Sequence, residues 1–370
     1  MHTKEFTRKL LIFIFLFAFL AILQACAGAP AEEPAEVPAP EEPAAPAEEP
    51  QPEVPAEGLP VTYGQDSRTE VFQHANMKLR EMATSIAIFV HKDQVKISGN
   101  SATLDGYTLN EMSENGWLVR DASAPMCSGE LFSSQPAPGF CTGFLVQEDV
   151  LITAGHCLEK ASCSDMRIIF GFQMESDGSL ATLSRDDVFE CEEVIARELP
   201  NQNNQHIDYG IIRLNRSTGR AALDYGTGDH LRAQDRVAVI GYPSGLPLKI
   251  ASDALVLSNQ TGDAYFVANL DTFGSNSGSP VINVNNYQVE GILVRGMPDY
   301  ILSDDGSCIR VNRCPESGGA NCAGENVTKM SRVAEFIPER KTSSGFICFP
   351  TLFLALIIWQ MFLAKTHLIA

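Results

Sequence analysis

The sequence predicts an all-β fold, on three observations. From about Thr84 onward, short runs rich in Val, Ile, Leu and Phe alternate with clusters of Gly, Asn, Asp and Ser, the pattern of many short strands parted by turns. Long amphipathic helices are scarce, the best candidates being residues 71–82 and 327–336. Neither end of the globular part carries a fixed-period repeat. A barrel or sandwich architecture follows, with strands expected at 85–90, 140–146, 166–170, 210–214, 237–240 and 289–294.

The two ends of the 370-residue chain read as targeting or linker sequence. His2, Lys4, Arg8 and Lys9 precede an unbroken apolar run from Leu10 to Leu23, the charged and hydrophobic regions of an export signal. That run is too short to favour a permanent span. It closes on Leu23-Gln24-Ala25-Cys26, which resembles the lipobox of bacterial lipoproteins, where cleavage precedes a cysteine that is then lipidated. Residues 1–25 are therefore expected to be a signal peptide and Cys26 a lipid attachment site, with an ordinary cleaved signal as the alternative. Residues 26–60 are almost entirely Pro, Ala and Glu, cannot bury enough apolar surface to offset ordering, and are expected to form an extended stalk. Residues 346–364 are again nearly all apolar, with Arg340, Lys341 and Lys365 flanking them. Their length suits a membrane helix, although Pro350 interrupts the first turn. They are expected to be either a second membrane anchor or an apolar tail.

The formal charge of −19 owes much to the stalk, where nine acidic residues stand without a Lys or Arg. The folded part, residues 61–340, is only moderately acidic, and no basic stripe follows a phosphate backbone, so nucleic acid is excluded as a partner. Of ten cysteines, Cys26 lies at the processing site and Cys348 in the apolar tail. The other eight, Cys127, Cys141, Cys157, Cys163, Cys191, Cys308, Cys314 and Cys322, are expected to pair as disulfides in an oxidising compartment, with a reduced metal cluster as the alternative.

Peptide hydrolysis needs a nucleophile, a base that takes its proton, and a group that holds the base in the right tautomer. Three segments offer these in the order His, Asp, Ser. In Leu151-Ile-Thr-Ala-Gly-His-Cys157 an apolar run delivers His156 into a turn of small residues. In Ile207-Asp-Tyr-Gly-Ile-Ile-Arg-Leu214 the carboxylate of Asp208 leads into an apolar strand. In Gly274-Ser-Asn-Ser-Gly-Ser-Pro280 a serine, Ser277, is framed by small residues that let backbone amides approach an oxyanion. Taken singly, each has a plainer reading: a surface histidine, a capping aspartate, a polar loop.

Together, Thr-Ala-Gly-His-Cys, the Asp-led strand and Asn-Ser-Gly-Ser-Pro resemble the trypsin and chymotrypsin superfamily, in particular its bacterial glutamyl-endopeptidase-like branch, over about residues 85–336. The resemblance implies two Greek-key β-barrels with a short C-terminal helix, barrel one over about 84–228 and barrel two over about 229–340. The spacings of 52 residues from His156 to Asp208 and 69 from Asp208 to Ser277 suit that division. It implies a serine endopeptidase acting on polypeptides without a cofactor or metal, with Ser277 as nucleophile, His156 as general base and Asp208 orienting it. The amides of Ser275 and Ser277 would form the oxyanion hole. The family also staples the histidine turn to a neighbouring strand, here Cys141 to Cys157. Cys163 with Cys191 is a weaker pairing, and the other four are not assignable.

Departures from the family pattern matter as much. Ser275 stands where the family has Gly, and a side chain resists positive φ, so the hole is expected to stay unformed until substrate binds. Asn276 replaces the aspartate that pairs with a newly cut N-terminus in pancreatic-type zymogens, so no such insertion switch is expected. In the specificity pocket, Leu293 stands where glutamyl endopeptidases carry a histidine, whereas Thr272 matches that branch. Asp271, six residues before Ser277, has the spacing of the carboxylate that selects Arg or Lys, or else it is a loop aspartate binding local amides. Arg295 reads as solvated. The rival functions are a non-catalytic protease-like module that binds peptides or proteins, and a zinc site built on His156, Cys157 and Cys163. The location expected is the cell envelope, at the periplasm or cell surface.

Overall fold

The protein is described by a computed structural model that covers residues 62–199, 206–296, 298–315 and 322–339. Residues 1–25, 26–60 and 346–364, expected to be a signal peptide, a stalk, and an anchor or apolar tail, all lie outside these residues. Among the described residues, no helix is long and apolar enough to cross a membrane.

Six strands form the first barrel: β1 (Ile86–His91), β2 (Cys141–Leu145), β3 (Val150–Thr153), β4 (Met166–Phe170), β5 (Val188–Glu198) and β6 (Tyr209–Leu214). Their order is β5-β6-β3-β2-β1-β4, closed by pairing of β5 with β4, and every pair is antiparallel. The second barrel comprises β7 (Arg236–Gly241), β8 (Lys249–Ser258), β9 (Tyr265–Ala268), β10 (Pro280–Asn283), β11 (Val289–Arg295) and β12 (Glu325–Lys329). It runs β7-β10-β11-β12-β9-β8 and closes through β7 and β8. Closure removes every free sheet edge from these twelve strands. The strands read as apolar runs because both faces are covered: all of β2 and β3, and all of β11 up to its last residue, are buried. One large core joins the first barrel to Ala238, Ile240, Ile282 and Ile292 of the second, so the barrels share a packed interface.

Two of the helical expectations give way. Helix α1 spans only Met77–Ala83, because Asn76 takes an extended conformation and its side chain accepts from the amides of Lys78 and Leu79, starting the helix there. No C-terminal helix forms over 327–336. Val327 lies inside β12, opposite Phe266 on one side and Leu293 on the other, and is fully buried. Two sheet partners outcompete a local helix, and the chain then makes only short 3-10 turns at Met330–Arg332 and Ala334–Phe336.

Between the barrels' elements, residues 105–139 form a long excursion containing helix α2 (Leu109–Glu114), capped reciprocally by Thr108 and Glu111. It packs Leu109 against Leu246, Phe273, Tyr300, Ile309 and Val311 of the second barrel's side. A disulfide between Cys127 and Cys308 ties it there. The other pairs are Cys141–Cys157, Cys163–Cys191 and Cys314–Cys322. Four disulfides belong to an oxidising, exported environment.

Candidate active site

Strand β3 is buried along its whole length and ends at Thr153, across from Gly210 in β6. This register sets the residues just beyond β3 beside the residue just before β6, which brings His156 to Asp208. The Asp208 carboxylate is buried. Its Oδ2 lies 2.8 Å from His156 Nδ1, and its Oδ1 accepts from the amides of Gly155 at 2.7 Å and His156 at 3.2 Å. A carboxylate on Nδ1 requires the proton there, leaving Nε2 with a free lone pair. Gly155 permits the approach, since a Cβ on it would lie 2.0 Å from the carbonyl oxygen of Glu198.

The loop that carries Ser277 comes from the second barrel and presses on the first. Thr142 of β2 donates its amide to the Ser277 carbonyl at 2.9 Å, and Gly278 donates to Leu293 at 2.7 Å. The Ser277 carbonyl oxygen also lies 3.6 Å from Cys157 Sγ, next in sequence to His156. The Ser277 loop is thus bonded onto the first barrel beside the turn that carries His156. Ser277 Oγ and His156 Nε2 make no hydrogen bond among the described residues.

Ser275 adopts φ +68°, the left-handed backbone that its side chain was expected to resist. Three hydrogen bonds offset the cost. Ser275 Oγ donates to the Gly139 carbonyl at 3.1 Å, Thr142 Oγ1 donates to the Ser275 carbonyl at 2.8 Å, and the Ser244 amide donates to the Gly274 carbonyl at 2.6 Å. The last fixes which way the peptide between Gly274 and Ser275 faces. Among the described residues the amides of Ser275 and Ser277 have no internal acceptor, whereas Asn276 between them donates to Phe273. Two free N–H groups flanking a serine can bind an oxyanion. The Asn276 side chain is buried and accepts from Ser279 Oγ at 3.2 Å, a neutral contact.

Beside Ser277 opens a cavity of about 130 Å³, walled in part by Thr272, Leu293, Arg295, Asp299 and Glu325. Asp271 is not on its wall, which corrects the reading of this residue as a pocket carboxylate. Its Oδ1 accepts from the amide of Tyr63 at 2.8 Å, and its Oδ2 from the amide and hydroxyl of Ser67 at 2.7 and 2.6 Å. Asp299 and Glu325 were missed, because neither belongs to a motif nor follows Ser277 at a telling distance. The zinc alternative lacks thiolates, since Cys157 and Cys163 are both in disulfides.

Asp299 Oδ2 accepts from the Gly274 amide at 2.6 Å. Burial pushes its carboxyl up from 3.8 to about 7, against the pull of that hydrogen bond and of the positive Arg68 and Lys160. Between about pH 4 and about pH 7 the folded protein retains a proton that the unfolded chain has released, so stability falls as pH rises through that window. Asp299→Asn should flatten this slope in thermal melts taken across the window. Parallel curves for the two proteins would contradict the assignment.

Residues 141–292 match the family model of the trypsin-like peptidase domain. This stretch is a trypsin-like peptidase domain. Solved structures similar to the chain include the VesB protease of Vibrio cholerae, at 14% identity and TM-score 0.44, covering 74% of this chain and 66% of that one. This chain thus spans just under two thirds of the Vibrio protein. Another is a Glu endopeptidase in complex with MPD, at 18% identity and TM-score 0.43, covering 75% of this chain and 97% of that one. No curated relative matches the sequence. The matched peptidase domain includes His156, Asp208 and Ser277, and ends within β11 at the cavity wall.

Proposed function

We propose that this chain is a serine endopeptidase. The observation that carries the reading is the 2.8 Å contact of buried Asp208 with His156 Nδ1, formed at the seam onto which the Ser277 loop is hydrogen-bonded. Ser277 Oγ attacks the peptide carbonyl while His156 Nε2 takes its proton, and Asp208 stabilises the resulting imidazolium. The amides of Ser275 and Ser277 receive the negative charge that develops on the carbonyl oxygen. His156 then returns the proton to the leaving amine, and water, activated the same way, hydrolyses the acyl-serine. The side chain preceding the cut bond enters the cavity. Its wall carries Asp299, Glu325 and Arg295, groups of both signs, so charge alone does not select the occupant. Substrates are polypeptides met outside the cytoplasm, the enzyme being held at the cell envelope through Cys26 and the stalk of residues 26–60.

The test is reaction of the full chain with a fluorophosphonate, alongside digestion of a mixed peptide library. A label on Ser277 that disappears in Ser277→Ala, with cuts that disappear in the same variant, is the expected result. A correctly folded chain that neither labels nor cuts would make it a peptide-binding module.

A further inference from the structure

Asp271 is consumed by a segment more than two hundred residues away in sequence. Residues Thr62–Tyr63 pair in parallel with Arg313–Cys314, and Thr69–Glu70 pair with the start of β8. Between these two short strands the chain reaches Asp271, next in sequence to Thr272 on the cavity wall. Besides the three bonds to Asp271, the Tyr63 hydroxyl accepts from the Gly324 amide at 2.8 Å, next to Glu325 on the opposite wall. Arg68 is buried and grips Asp66 through Nε at 2.9 Å and Nη2 at 2.6 Å. Its guanidinium lies 3.8 Å from the centre of the Phe273 ring. At the far end, the buried Lys249 pairs with Glu70 at 3.1 Å.

This strap therefore holds both 271–273 and 324, and only Gly274 separates Phe273 from Ser275. A carboxylate with three donors in a buried site is a strong, directional anchor. Because two of those donors are main-chain amides of an unbroken chain, the anchor needs no liberated α-amino group.

Building on the serine endopeptidase reading, we infer that Asp271 is a positioning residue: by clasping Tyr63 and Ser67 it sets the wall from Thr272 to Gly274, and through it the oxyanion amide of Ser275. The clasp makes the full chain competent without a proteolytic cut ahead of the first barrel. Arg68, stacked on Phe273, serves the same end.

The test compares the uncut full chain with Asp271→Asn, Ser67→Ala, Ser67→Thr and Arg68→Met, each assayed well below its own melting temperature. In Asp271→Asn the one oxygen stays on the two Ser67 donors and an NH₂ faces the Tyr63 amide, and the fluorophosphonate labelling rate of Ser277 should fall about 10- to 100-fold, the cost of a misplacement of order 1 Å. kcat should fall with it for every peptide, while the ratio of kcat/KM between substrates with Arg and with Leu before the cut stays within about twofold. Arg68→Met and Ser67→Ala should slow labelling in the same direction, and Ser67→Thr, which keeps the hydroxyl, should label like the wild type. If Asp271→Asn does not fold, the Ser67 pair decides. Variants that label as fast as the wild type overturn the proposal alone, as does a loss in Asp271→Asn confined to substrates with Arg or Lys. A wild type that labels only after a cut ahead of the first barrel also overturns this proposal alone, whereas one that labels neither before nor after such a cut overturns the endopeptidase reading with it.

Discussion

Asp208→Asn is expected to lower peptide hydrolysis by about 10⁴-fold while leaving the fold intact, and Ser277→Ala by about 10⁶-fold. The reason lies in how Asp208 spends its two oxygens. Oδ1 holds the amides of Gly155 and His156, and Oδ2 holds Nδ1. An asparagine must keep its one oxygen on the two amides, which turns its NH₂ toward Nδ1. That donor forces the histidine proton onto Nε2, where it can no longer accept from serine. Because the groups work as a unit, combining the two substitutions should cost little more than Ser277→Ala alone. Steady-state rates on one cleaved peptide suffice to measure this. Additive losses would mean that Asp208 acts independently of the nucleophile.

The second large effect concerns stability. Gly278 has φ +91°, and a Cβ on it would lie 2.0 Å from the Thr142 carbonyl oxygen and 2.4 Å from Thr153 Oγ1. Both belong to buried strands of the first barrel, so neither can yield cheaply. Gly278→Ala should destabilise the protein by about 3 kcal/mol or more, the sum of a strained backbone and an overpacked contact. Gly262 is the control: its φ is +94° with nothing within 4 Å of the added carbon, so Gly262→Ala should cost only about 1 kcal/mol. Urea denaturation of both variants separates conformational strain from collision. Equal losses would show that the contact between the Ser277 loop and the first barrel is loose.

The strand pattern and the pairing of His156 with Asp208 were legible for a common reason. Each chemical residue stands at the end of an apolar strand, and the two strands nearest His156 and Asp208 are neighbours in one sheet. Local sequence therefore carried both the element and its chemistry. The pocket was not legible, because the fate of Asp271 depends on Tyr63 and Ser67, and that of Asp299 on the Gly274 amide. Spacing from Ser277 points toward a carboxylate without saying which donors claim it. Val327 was misread because an apolar run of that length suits either a helix or a central strand, and only its neighbours Phe266 and Leu293 decide. The left-handed Ser275 was misjudged because its compensating partners, Gly139, Thr142 and Ser244, come from other parts of the chain.

The bond from Cys127 to Cys308, 181 residues apart, encloses His156, Asp208 and Ser277 in one covalent ring. A neighbouring protease that nicks this chain once, anywhere between those cysteines, opens the ring without producing two separable molecules. Both fragments stay tethered, and the closed barrels keep their strands in register. A chain cut once in this way should still run as one species until the disulfides are reduced.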